Sequence, residues 1–216
     1  MMLLSNKILS ANTAILDQML KHRFVADIQA DTLPQDVFHR YLAYEGRFVE
    51  TAISIFAFAT IGAPDIGAQR RLIGVQDALA NTQVPYFEDI FAKRGIALDT
   101  PVPDAVIAFD AGMLDIARTG QFTDVLTAMF AAEWMYWTWS QATKTELITD
   151  PDLRAWVELH AAPDFADQAM WLKDAIDTYG DDSDAERLSQ VFGDIMQLEI
   201  AFHSAAYDNP PKRKGS

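Results

Sequence analysis

FTDVLTAMFAAEWMYWTWSQATK, residues 122–144, repeats its apolar residues with the spacing of an α-helix. Phe122, Leu126, Met129, Phe130, Glu133, Tyr136, Trp137 and Ser140 recur at intervals of three and four, which puts them on one helical face. Glu133 therefore lies on an apolar stripe. A carboxylate is costly to bury unless it is paired, hydrogen-bonded or protonated. A structural ion pair with Arg or Lys of another helix explains one such residue taken alone.

Outward from this stretch the chain reads as helices throughout. Residues 5–30 carry Ile8, Leu9, Ile15, Leu16, Met19, Leu20, Phe24 and Ile28 at the spacing of one long amphipathic helix. Thr32 is placed to cap a second helix with Pro34 in its first turn, running to about Ile61. Its stripe is Phe38, Tyr41, Glu45, Phe48, Ala52, Ile55 or Phe56, and Ala59, so a second carboxylate is centred on an apolar face. A third segment covers residues 65–94 and is interrupted near Pro85. After the loop KRGIALDTPVPDA a shorter helix spans 104–118. Pro151 opens a helix with Leu153, Trp156, Val157 and His160, which Pro163 must kink or break. Phe165, Ala169, Leu172 and Ile176 continue the pattern. The last helix, capped by Ser183 or Asp184, carries Leu188, Phe192, Ile195, Glu199, Phe202 and Ala206. No segment alternates with period two. The expected class is all-α, a bundle of about seven helices.

Length and charge narrow the function. The 216 residues suit one domain, expected over 1–209 with a basic tail at 210–216. There is no cysteine, so disulfides, thiolate catalysis and thiolate metal sites are excluded. A net charge of −14 argues against a nucleic-acid partner. No apolar run is long enough to span a membrane, and the expectation is a soluble, cytoplasmic protein.

Glu45, Glu133 and Glu199 each sit mid-stripe on a different helix, and the reading is that they converge on one polar pocket. Neighbouring carboxylates in a dry site push their pKa values apart, making one a proton donor and another a base. The aromatics Tyr41, Tyr44, Phe48, Trp134, Tyr136, Trp137 and Trp139 are mostly core, with some left to wall a pocket for a flat ring. His22 and His39 read as exposed. His203, one turn after Glu199, reads as surface or as support for the site, and His160 as pocket-lining or core. His160, Asp164 and Asp167, with Glu45 and Glu133, form the alternative set, a di-metal centre poor in nitrogen ligands.

The motifs TLPQDVFHRYLAYEGRFVE (32–50), AMFAAEWMYW (128–137), WVELHAAPDF (156–165) and QLEIAFHSAAYD (197–208) together resemble the TenA family, the thiaminase II group within the haem-oxygenase-like helical fold. The resemblance covers nearly the whole chain. It implies that Glu45 binds the substrate's aminopyrimidine ring, that Phe48 and Tyr136 are pocket aromatics, and that Glu199 is the catalytic glutamate. Where the best known branch has a Pro-Cys pair, this chain has Ala131 and Ala132 followed by Glu133. It is thus similar to the cysteine-lacking branch, in which a second glutamate takes part. His160 stands where the cysteine branch has tyrosine, Phe109 lies near another such position, and Phe202 is grouped with the substrate-binding residues.

The implied activity is thiamin salvage: hydrolysis of the exocyclic C–N bond of an aminomethyl- or formylaminomethyl-pyrimidine, with no metal or other cofactor, in a homotetramer. Glu133 or Glu199 serves as base while the other serves as acid. Two other classes stand beside it. One is an oxidase of the same fold, di-metal or cofactor-free, and the other is a non-catalytic pyrimidine-binding or regulatory protein.

Overall fold

The computed structural model describes residues 2–99 and 101–208. The basic tail at 210–216 lies outside them. In chain order the α-helices are α1 Leu4–Ala11, α2 Thr13–Leu20, α3 Arg23–Gln29, α4 Gln35–Gly62, α5 Ile66–Ala78, α6 Val84–Arg94, α7 Asp104–Thr119, α8 Phe122–Ala142, α9 Pro151–Ala161, α10 Pro163–Tyr179 and α11 Ala185–Ala205. Among the described residues every regular element is helical, as the absence of alternating segments leads one to expect.

The chain groups into two compact units. The first comprises residues 2–33 and 120–200, the second residues 34–119 and 201–208. In the first unit α8 packs against α2, α9 and α10, and α10 also packs against α1. In the second unit α4 is the spine, packing against α5, α6 and α7. The long helix α11 lies in the first unit as far as Ile200 and contributes its last turn to the second.

The stripes on α4 and α11 are buried along their whole length, from Phe38 to Ala59 and from Leu188 to Ala206. On α8 the stripe is less informative. Residues 123–132 are buried all round, whereas Phe122, Glu133 and Trp137 are half-buried. A helix enclosed on every side has no polar face to set its phase.

The stretch 5–30 is three helices rather than one. Asn12, itself buried, breaks the first by donating its side-chain amide to Ile8 O and Ser189 O, both at 2.9 Å. His22 Nδ1 accepts from Phe24 N–H at 3.1 Å and so caps α3. Both side chains offer the backbone partners that a continuous helix would not use. Thr32 closes α3 through its N–H to Asp27 O at 2.8 Å, and Pro34 is the cap residue of α4 rather than part of its first turn. Pro85 is absorbed by a π-helical turn, Leu79–Gln83, which joins α5 to α6 just where a proline ring would strike the preceding carbonyls. The break at Pro163 is complete: Ala162 is extended, and α10 begins at the proline.

Gly180, after the end of α10, is required by close approach. A Cβ there would meet Leu4 Cδ2 at 2.6 Å and the carbonyl oxygen of Ile176 at 2.8 Å. Gly180→Ala is expected to lower the unfolding free energy by about 1–3 kcal/mol, seen as a lower urea midpoint. An unchanged midpoint would show that α1 yields freely at this contact.

Candidate active site

In the first unit two contacts set α8 beside α11. Arg187 pairs with Asp124 near the start of both helices, and Phe192 meets Phe130 at 5.8 Å farther along. The helices therefore run in the same direction in nearly constant register. Glu133 follows Phe130 by one turn, and Glu199 follows Phe192 by two turns on the same face. Glu199 is 2% exposed, which makes it an interior carboxylate, whereas Glu133 is half-buried.

Tyr136, one turn beyond Glu133 on α8, is part of an aromatic cage. Its ring is 4.9 Å from His160 and 6.0 Å from Trp139. His160 in turn contacts Trp156 at 4.2 Å and Phe165 at 4.8 Å. His160 is buried, and its Nδ1 donates to Trp156 O at 2.7 Å, which fixes the proton on Nδ1 and leaves Nε2 as an acceptor. Burial lowers its pKa from 6.5 to about 4, outweighing the opposing effect of the hydrogen bond to the Trp156 carbonyl. His160 is therefore neutral at physiological pH.

In the second unit Glu45 is 8% exposed, again an interior carboxylate. It lies one turn after Tyr41 and one turn before Phe48 on the buried face of α4. Phe48 packs on Phe109 at 4.6 Å, and Phe109 on Phe202 at 5.1 Å. Phe202 also meets Tyr44 and Tyr41 at 6.1 and 6.3 Å. Phe109 and Phe202 are almost completely enclosed. Their faces are largely taken up by these rings, so they back Phe48 rather than stand open beside it.

The eight expected site residues thus fall into two groups: Glu133, Tyr136, His160 and Glu199 in the first unit, and Glu45, Phe48, Phe109 and Phe202 in the second. His22 and His39 are half-buried rather than exposed, because each is held in a hydrogen bond; His39 Nε2 accepts from Arg94 Nε at 3.1 Å. His203 is buried, 5.4 Å from the Tyr41 ring. Among the described residues no group of three or more His, Asp and Glu side chains is placed to hold a metal ion, so the set around His160 and Asp164 is not assembled.

The structure adds residues that were not among the expected site residues. Asp110, next to Phe109, is buried and accepts from Arg47 Nε at 2.8 Å. Burial raises its pKa, outweighing the lowering by the Arg47 guanidinium. Trp156 and Phe165 close the cage round His160. Tryptophan, histidine and proline within one short segment were the available signal, since Pro163 turns α10 back beside α9.

Residues 10–209 match the model of the TENA/THI-4/PQQC family. The aminopyrimidine aminohydrolase of Halalkalibacterium halodurans is 22% identical over 196 residues, which are 87% of this chain and 88% of that protein. Among solved structures, the TenA homologue from P. horikoshii OT3 superposes with a TM-score of 0.89 at 20% identity, covering 95% of this chain and 99% of that one. A TenA family transcription regulator from Silicibacter sp. TM1040 gives 0.84 at 19% identity, covering 95% and 96%. No helix among the described residues is long and apolar enough to cross a membrane.

Proposed function

The chain belongs to the TENA/THI-4/PQQC family, and on that premise we propose that it is a C–N hydrolase of thiamin salvage, acting on aminomethyl- or formylaminomethyl-pyrimidine. The observation that carries this reading is the pair of carboxylates, Glu133 and Glu199, on neighbouring helices of the same direction in a chain without cysteine. The relative named aminopyrimidine aminohydrolase supports it.

In the proposed step one glutamate takes a proton from water as the oxygen attacks the exocyclic methylene carbon. The C–N bond breaks with its electron pair going to nitrogen, and the other carboxyl delivers the proton that lets ammonia or formamide depart. Hydroxymethylpyrimidine is the second product. The family resemblance implies that Glu45 binds the aminopyrimidine ring and that Phe48 and Tyr136 are pocket aromatics. Thiamin itself is a poor substrate in this scheme, because no thiolate is present to attack it covalently.

The proposal extends to a homotetramer in the cytoplasm. Exposed Phe58, Ile61, Ile66 and Ile73 around the α4–α5 turn of the second unit support self-association, and light scattering reads the assembly directly. The net charge of −14 weighs against a DNA-binding regulator.

The function is tested by incubating chelator-treated protein separately with aminomethylpyrimidine, its N-formyl derivative and thiamin. Release of hydroxymethylpyrimidine from the first or second is expected. No product from any of the three would contradict the hydrolase and favour a binding or oxidase role.

A further inference from the structure

On the first unit a groove of about 610 Å³ opens between α1, α2 and the first half of α11, within the size range of small-molecule sites. Glu186, Ser189, Gly193 and Gln197 line it from α11. They occupy the face turned away from the buried stripe of Leu188, Phe192, Ile195 and Glu199, so the groove is separate from the carboxylates described above.

Asn12 lies in the floor. It is 9% exposed, and both protons of its side-chain amide are taken, by Ile8 O and Ser189 O at 2.9 Å each. The amide therefore cannot turn over, and Oδ1 is the atom left beside α11. It sits where Gly193 has no side chain: a Cβ there would meet Oδ1 at 2.8 Å. Among the described residues Oδ1 accepts no hydrogen bond. A buried acceptor held in one orientation carries its desolvation cost uncompensated until a donor enters the groove.

The charges of the groove favour the same kind of ligand. Lys7 is already neutralised by Asp182 at 2.9 Å. Exposed Glu186 makes no ion pair among the described residues, so the charge left unmet is negative. We infer that the groove binds a short linear polyamine, one ammonium resting on Glu186 and another nitrogen donating to Asn12 Oδ1. Gly193 stands seven residues, about 10 Å, beyond Glu186 along α11. A triamine covers that span and a compact ammonium ion does not. Ala11 and Ala185 supply apolar wall for the methylenes between the nitrogens. An anion would be repelled by Glu186 and would find Lys7 already paired.

Spermidine titrated into the full chain at about 0.15 M salt, which screens diffuse attraction to an acidic surface, tests the site. Glu186→Gln removes the charge of an exposed side chain, and Gly193→Ala sets a methyl group against Asn12 Oδ1. Each is expected to weaken binding about threefold to tenfold. In the wild-type protein the backbone amide resonances of Asn12 and Gly193 should shift when spermidine is added, an observation that needs no substitution. Putrescine, too short to reach both groups, should bind several-fold more weakly. Spermidine affinity that is unchanged in both variants, or equalled by putrescine, would reduce the binding to diffuse attraction and overturn the site. A wild type that does not bind spermidine would overturn it as well. None of these outcomes bears on the hydrolase, whose Glu199 lies on the other face of α11.

Discussion

Glu199→Gln lowers kcat for hydroxymethylpyrimidine release by about 10²–10⁴-fold, the usual worth of a positioned acid or base, and leaves substrate affinity within a few-fold. The substitution keeps the size of a side chain that is only 2% exposed, so it removes proton exchange without opening a cavity. Glu133→Gln should fall in the same range. The double variant should be little worse than either single one, because groups that act in one step are not additive. Steady-state rates on all three proteins, with binding measured separately, check this. An unchanged kcat in Glu199→Gln would remove that residue from the mechanism.

Acid should unfold the wild type earlier than a His160→Phe variant. The folded-state pKa of His160 lies below its unfolded value, at about 4 against 6.5. Between those values the unfolded chain binds the extra proton. The stability associated with neutral His160 is therefore complete above pH 6.5 and declines as the pH falls toward 4. The slope approaches about 1.4 kcal/mol per pH unit, so about 3 kcal/mol is lost across the window. Phenylalanine suits the cage of Tyr136, Trp156 and Phe165 and does not titrate. Urea unfolding of both proteins at several pH values gives the difference directly. His22, whose pKa burial also lowers, is common to both and cancels. Parallel stability curves would mean that His160 reaches solvent and is not held neutral by burial.

The helical class and the two cleanest stripes were legible because α4 and α11 each bury one face and expose the other. That contrast locates Glu45 and Glu199 inside without any tertiary information. On α8 it fails, since residues 123–132 are enclosed on all sides, and the half-buried position of Glu133 is set by neighbouring helices. The division of residues 5–30 was hidden for a related reason. Asn12 is held by the carbonyl of Ser189, far along the chain, and no local spacing announces that bond. The Arg47–Asp110 pair is likewise a long-range choice between two helices of the second unit.

The most direct experiment is hydrolysis of N-formylaminomethylpyrimidine in ¹⁸O-labelled water by the metal-free protein, with products read by mass spectrometry. Attack at the exocyclic carbon predicts ¹⁸O in hydroxymethylpyrimidine and unlabelled formamide. Label appearing in formate, with aminomethylpyrimidine as the other product, would contradict it and place the cut at the amide instead.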